Sequence, residues 1–215
     1  MSLKDLLTDG AQELGVALSD KQMDQFMQYL DNLNGWNEKI NLTAIKDDQE
    51  IVINHFLDSL SIASFVEDKK KLLDIGSGGG FPGLPLKIVH PSLSVIMIDS
   101  VNKKVSFLKD TIRKLGLENI DAVWCRAEDK ENRIPRQHFD FVVNRAVGTI
   151  YDTVQLSLPY LSENGVVILM RGKKGAEEWD QESQEFKDSY NLVEYREFTL
   201  PYSESKRTVI VLDPK

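Results

Sequence analysis

Residues 71–83 read Lys71-Leu72-Leu73-Asp74-Ile75-Gly76-Ser77-Gly78-Gly79-Gly80-Phe81-Pro82-Gly83. A short apolar run carries an acidic residue near its end and breaks into a turn with five glycines, after which a helical pattern begins. That order predicts a β-strand whose carboxyl end faces a nucleotide-like ligand, because glycines let the backbone turn sharply and approach a ligand with no Cβ between. The competing explanation is a tight turn of packing glycines.

Two ligand classes use such a loop. A dinucleotide site needs G-x-G-x-x-G directly after the strand, with the pyrophosphate on the helix N-terminus. Counted from Gly76, the third glycine would fall at Phe81; a frame of Gly78, Gly80 and Gly83 fits, but starts further from the strand and contains Pro82. Asp74 at the strand end is a poor neighbour for a doubly charged pyrophosphate. It suits a ligand with an amino group and a sulfonium, and S-adenosylmethionine has both.

The run Leu93 to Ile98 reads as a second buried strand closed by Asp99, 23 positions after Gly76. An acid there can accept from both ribose hydroxyls, or cap the helix that starts near Lys103. A third strand, Ile120 to Cys125, leads into Arg126-Ala127-Glu128-Asp129. In methyl-transfer folds the loop after strand three covers the adenine edge, where a backbone N–H and a carboxylate can hydrogen-bond the base. Ala127 and Glu128 stand in that place, and the plain alternative is a pair of solvated loop acids. Strand four, Phe139 to Val143, opens into Asn144-Arg145-Ala146 beside the topological switch point. An arginine facing that crevice can clamp a carboxylate or phosphate with its planar fork; otherwise it is a surface arginine.

Taken together, Asp74-Ile75-Gly76-Ser77-Gly78-Gly79-Gly80-Phe81-Pro82-Gly83-Leu84-Pro85, Ile98-Asp99-Ser100, Arg126-Ala127-Glu128 and Arg145-Ala146 resemble the bacterial small-subunit rRNA guanine-N7 methyltransferases, also called glucose-inhibited division protein B. Trp36-Asn37, Asn41-Leu42-Thr43-Ala44-Ile45 and His55-Phe56-Leu57-Asp58-Ser59-Leu60 agree with the same family, and the resemblance spans roughly residues 20 to 212. It implies S-adenosylmethionine as cofactor, with S-adenosylhomocysteine as product, held through Gly76, Gly78, Phe81, Asp99, Ala127, Glu128 and Arg145. It also implies methyl transfer to a guanine N7 of 16S rRNA, guanine 527 in the family. Met170-Arg171-Gly172-Lys173-Lys174 and Val147-Gly148-Thr149 depart from the family pattern, on the side expected to meet substrate.

The rest of the chain fits an α/β fold: a Rossmann-like class I methyltransferase domain over residues 67–215 behind a helical N-terminal extension, residues 1–66. In the extension, Ser19-Asp20-Lys21-Gln22 is a capping box, and Met23, Phe26, Met27, Leu30 and Leu33 form a core-facing stripe. Asp47 to Glu50 repeats the capping signature before a helix on which His55 and Asp58, three apart, are expected to pair side by side as a structural pair. No metal-ligand spacing occurs. From residue 70, β-rich and helical runs alternate, predicting βαβ units in a seven-stranded, mostly parallel sheet. The last two strands, 191–199 and 207–212, are joined by seven residues, too few for a parallel crossover, so they should form an antiparallel hairpin. A single helix is expected over Glu177 to Asp188.

One cysteine, Cys125, excludes an internal disulfide and reads as a small buried residue. The first residues lack the basic and apolar regions of a signal peptide, and no apolar run nears the ~20 residues of a membrane span. A cytoplasmic monomer is expected, with no membrane partner. The net charge of −8 argues against indiscriminate coating of nucleic acid. Lysine and arginine clusters at 69–71, 103–104, 113–114, 133–136, 171–174 and 206–207 are either solvated faces or a local RNA face. No distinct catalytic residue is needed, since guanine N7 carries a lone pair and no proton; Arg145 is the candidate for positioning. The alternatives are a methyltransferase acting on a small molecule, a non-catalytic S-adenosylmethionine-binding module and, third, a nicotinamide oxidoreductase.

Overall fold

A seven-stranded sheet in the order β3-β2-β1-β4-β5-β7-β6 carries the functional end of the molecule. The computed structural model describes residues 1–145 and 148–214. Ala146 and Val147, which belong to the motif quoted after strand four, lie outside the described residues.

The extension comprises α1 (Leu3–Glu13), α2 (Asp20–Asn37), α3 (Asp48–Ile51), a π-helical segment Val52–Leu57 and α4 (Asp58–Leu60). Ser19 caps α2 with the expected reciprocal box through Gln22. Gln22 Nε2 also donates to the Ile88 carbonyl at 3.0 Å, so the cap ties α2 to a residue 66 positions later in the chain. The stripe of Met23, Phe26, Leu30 and Leu33 is buried. Asp47 caps α3 through the Glu50 N–H, but the regular helix expected beyond it widens into the π turn. Ser59 and Ser61 hydroxyls donate to the His55 and Asp58 carbonyls there, at 2.6 Å each, meeting acceptors that an irregular ladder leaves available.

The remainder alternates: β1 (Lys71–Ile75), α5 (Gly83–Val89), β2 (Ser94–Asp99), α6 (Asn102–Lys114), β3 (Ile120–Trp124), β4 (Phe139–Arg145), α7 (Ile150–Ser157), β5 (Leu161–Arg171), α8 (Gly175–Gln181), α9 (Gln184–Asp188), β6 (Tyr190–Thr199) and β7 (Lys206–Pro214). β1 to β5 are parallel, and β7 is antiparallel to both β5 and β6, the hairpin ending expected from the short connection. Residues alternate between the two faces with period two. Leu72, Val143, Ile168 and Val211 join the core shared with the extension, α5 and α6, whereas Leu73, Val142, Leu169 and Leu212 face α7 and α9. Both faces are covered, as parallel strands require.

One expectation is corrected. Residues 177–188 form two short helices, not one, because Ser183 accepts from the Phe186 N–H and starts a new helix while Glu182 is extended. A local cap outcompetes continuation.

Candidate active site

The chain reverses direction across the sheet between β1 and β4, opening a crevice beyond their carboxyl ends. The register Ile75 to Asn144 sets Gly76 and Arg145 next to each other at that point. Gly76 and Ser77 N–H groups donate to the Ile98 carbonyl at 2.9 and 3.1 Å, splicing the turn onto β2. Gly76 is exposed and takes φ 76°, and Gly80 takes φ 94° where a Cβ would lie 2.7 Å from the Tyr29 hydroxyl. Side chains at these two positions would be strained, so the bare backbone is a geometric necessity. The Tyr29 hydroxyl donates to the Gly79 carbonyl, latching α2 onto the same turn.

Asp99 does not cap α6, whose N-cap position is Val101 without a side-chain bond. Its Oδ2 accepts from the Gly78 N–H at 2.9 Å and its Oδ1 from the Val101 N–H at 2.8 Å. Each carboxylate oxygen retains a further acceptor direction, which is what two ribose hydroxyls need. Asp74 differs from its expected placement. It is fully buried, turned toward the Gly83 N–H at 2.9 Å, and its Oδ1 has no hydrogen-bond partner. Burial pushes its carboxyl up to about 7, opposed by the Gly83 N–H.

Ala127 is buried and its carbonyl accepts from the Tyr160 hydroxyl at 2.6 Å. Glu128 is exposed and meets Arg126 at 3.3 Å, a solvated pair of little energetic weight that is free to exchange partners. Both residues border a cleft of about 690 Å³ whose other wall includes Arg136, Asp152 and Pro159. A further depression, about 800 Å³, lies elsewhere, among Asn34, Asn37, Asn41, Thr43 and Lys46. Cys125 is half-buried, and burial raises its thiol pKa, which keeps it protonated and poorly nucleophilic.

Arg145 is neither a surface residue nor an open clamp. Its side chain is 19% exposed and sits in a network built by the extension. Nη2 lies 2.6 Å from His55 Nδ1, Nη1 is 3.5 Å from Asp58 Oδ2, and the guanidinium carbon is 5.4 Å above the Phe81 ring. Phe81 is buried and stacks on His55 with centroids 4.5 Å apart and on Tyr29 at 5.5 Å, so it forms the floor under Arg145. The expected His55–Asp58 pair is corrected: both reach Arg145, and Asp58 also binds Arg207 Nε at 3.0 Å. Arg207 Nη2 adds a bond to Asn54 Oδ1 at 3.3 Å. Burial, then the Arg145 charge, pulls the His55 imidazole down to about 3. With His55 neutral, two guanidiniums face one carboxylate, so the cluster carries an excess positive charge suited to an anionic group.

Sequence reasoning did not find Tyr29 or Asn54, and named Thr43 and Arg207 only as members of a family motif and of a basic cluster. Arg207 is separated from Asp58 by 149 positions, and no local pattern encodes such a meeting. The basic clusters divide between the two ends of the sheet. Those at 103–104, 171–174 and 206–207 flank the carboxyl ends of β2 and β5 and the start of β7, whereas 69–71 precedes β1 at the opposite end. Arg171 is consumed internally, donating to the Gly148 and Thr149 carbonyls at 2.8 and 3.2 Å, which fastens the stretch before α7. Lys103, Lys173, Lys174 and Lys206 stay exposed.

Residues 22–205 match the family model described as rRNA small subunit methyltransferase G (GidB). The chain belongs to that family. The match contains His55, Asp58, Gly76, Asp99, Ala127, Glu128 and Arg145, and ends two residues before Arg207. A relative named ribosomal RNA small subunit methyltransferase G from Acetivibrio thermocellus is 41% identical over 99% of this chain and 88% of its own length. Another with the same name, from Geotalea uraniireducens, is 42% identical over 98% and 96%. Among solved structures, a SAM-dependent methyltransferase from Aquifex aeolicus superposes with a TM-score of 0.61 at 17% identity, covering 82% of this chain and all of that one. At that identity the likeness speaks for the fold, a Rossmann-like methyltransferase sheet. The GidB family is a class of S-adenosylmethionine-dependent rRNA methyltransferases, as the sequence motifs led us to expect.

Proposed function

We propose that this chain transfers a methyl group from S-adenosylmethionine to N7 of a guanine in 16S rRNA, guanine 527 by the family resemblance, acting as a cytoplasmic monomer on the RNA or the small subunit. The observation that carries the proposal is the convergence, in one crevice, of the exposed Gly76 turn, the loop-bound Asp99 carboxylate and the Arg145 cluster.

These residues fit the cofactor. Gly76 presents bare backbone to the crevice, Asp99 keeps acceptor directions for ribose hydroxyls, and Arg145 brings a guanidinium beside Gly76 whose charge suits a carboxylate. The unpartnered Asp74 oxygen beneath the turn adds negative potential where a cationic donor would sit. Ala127 and Glu128 are offered to the adenine edge. S-adenosylmethionine, when bound, supplies an electrophilic methyl group whose sulfonium leaves as a neutral thioether. Guanine N7 attacks with its lone pair and has no proton to give up, so the protein needs no general base. Its own task is to align, to exclude water and to hold the nucleotide at near-attack distance.

A single experiment tests this. Ribosomal RNA from cells lacking the gene is incubated with the protein and S-adenosylmethionine, and N7-methylguanine is mapped by chain cleavage. Modification at guanine 527 supports the proposal in full. A different guanine corrects the target, and methyl transfer only to small acceptors replaces the substrate class.

A further inference from the structure

We infer that His55 is a positioning residue: its neutral imidazole, through Nδ1, anchors Arg145 at the end of β4 and so makes the helical extension part of the methyl-transfer site. The inference rests on the proposal that Arg145 serves that reaction, and its own content is the contact and its consequence.

A guanidinium has five N–H donors and no acceptor, so at 2.6 Å Arg145 Nη2 donates to an unprotonated Nδ1, in competition with the Asn54 carbonyl, which lies 3.0 Å from the same nitrogen and pairs only with a protonated one. The single imidazole proton is then on Nε2, which faces Thr43 Oγ1 at 2.7 Å. Thr43 Oγ1 also accepts from the Ile45 N–H at 3.1 Å, which orients the hydroxyl and with it the loop between α2 and α3. The ring lies on Phe81 with planes 23° apart, so it cannot swing away without losing that stack. Asp58 is the weaker holder of Arg145, at 3.5 Å against 3.0 Å to Arg207. One prong of the fork is therefore tied to His55, while the other, Nη1, is buried against Asp58 Oδ2 at 3.5 Å without a hydrogen bond. An arginine held in this way has little side-chain entropy left to lose, which is how a flexible side chain comes to hold a precise position. The charged groups facing the imidazole are Arg145 from β4, Arg207 from β7 and Asp58 from its own segment. A protonated ring would set two donors against each other at the Arg145 contact.

Two substitutions separate anchoring from packing. His55→Asn keeps an acceptor near Nδ1 and loses the ring; His55→Phe keeps the stack on Phe81 and loses the acceptor. Each is assayed for kcat and KM on 16S rRNA beside wild type, Arg145→Ala and the Arg145→Ala/His55→Phe pair, with melting temperatures recorded. We expect His55→Phe to lose about tenfold in kcat/KM, His55→Asn to retain more of it, and the double variant to be no slower than Arg145→Ala. A fast Phe variant with a slow Asn variant, or additive losses, would show that the ring is only packing and overturn the inference. Wild-type rates for Arg145→Ala would overturn it too, since nothing would need positioning. Nitrogen NMR of the wild-type imidazole is independent of turnover and of how the variants fold. The Nε2–H tautomer at neutral pH is expected, with an upward shift of the His55 pKa in Arg145→Ala; an Nδ1–H tautomer overturns the contact. Should wild type methylate no guanine N7, the proposed function fails while this spectrum still decides the contact.

Discussion

The Tyr29 hydroxyl donates to the carbonyl of Gly79, fifty positions later in the chain, and both groups are buried. Helix α2 thus closes on the glycine turn after β1. Tyr29→Phe keeps the ring stack with Phe56 and Phe81 but leaves the Gly79 carbonyl without its partner, at a cost of about 1–3 kcal/mol. The expected outcome is a lower melting temperature together with weaker S-adenosylhomocysteine binding by calorimetry. Unchanged affinity in a destabilised variant would mean that the latch serves folding alone.

Asp74 is expected to make cofactor binding pH-dependent. Its carboxyl, raised to about 7 by burial, is roughly half protonated at neutral pH, and a cationic ligand nearby favours the ionised form. Binding should then release a proton and tighten by about tenfold between about pH 6 and about pH 8. For stability the sign is opposite: the raised folded value means that the contribution of the neutral carboxyl is fully present below the unfolded value of 3.8 and fades as pH rises through about 7. Asp74→Asn should abolish proton release, measured by calorimetry in buffers of different ionisation enthalpy. Persistent release in that variant would assign the proton elsewhere.

Asp99→Ala tests a residue with two tasks. It removes the acceptor proposed for ribose and also strips the Gly78 and Val101 N–H groups of their partner. Loss of a charged acceptor should weaken cofactor binding by about 1.5–3 kcal/mol. Asp99→Asn retains one carbonyl oxygen, so it should preserve part of the turn while losing most of the affinity. If Asn binds as tightly as wild type, Asp99 is a turn-holder and the ribose lies elsewhere.

How much of this was legible in the chain depended on how local the determinant was. The Ser19 box, the strands ending at Ile75 and Asp99, and the closing hairpin follow from turn chemistry and spacing within a few residues, and the structure has them. The placement of Arg145 at a strand end was equally local. Its burial was not, because His55 and Asp58 approach from the extension across about ninety positions. The π turn at 52–57 was invisible for another reason: its apolar residues satisfy an ordinary helical pattern, and only tertiary packing selects the wider turn. Asp74 was assigned to the ligand side from its position alone, whereas a strand residue's face also depends on which neighbour offers a donor, here Gly83.

Lys173 and Lys174 stand exposed just beyond β5, on the side of the sheet that bears the site. If they meet RNA phosphates, replacing both by Ala should raise the KM for RNA and flatten the salt dependence by about one unit of slope per lysine. Affinity for S-adenosylhomocysteine should not change. An unaltered slope would make them ordinary solvated charges, leaving Lys103 and Lys206 as the next exposed cations to test.

Arg145→Ala should slow methyl transfer by about tenfold or more, a transition-state loss above about 1.4 kcal/mol. Its effect on folding is larger than a loop arginine would give, because the guanidinium covers Phe81 and donates to His55, and about 1–2 kcal/mol of stability should go with it. Arg145→Lys should recover little, since an ammonium cannot reproduce the planar fork that reaches His55 and Asp58 together. The same variants carry an acid signature. His55 is held at about 3 in the folded chain against 6.5 unfolded, so its contribution is fully present above about 6.5 and is lost as pH falls toward 3. Removing the Arg145 charge raises the folded value, narrows that window and makes the loss with falling pH smaller. Denaturant titrations of wild type and Arg145→Ala at a series of pH values measure this difference directly. Parallel stability curves would mean that Arg145 does not set the charge of His55.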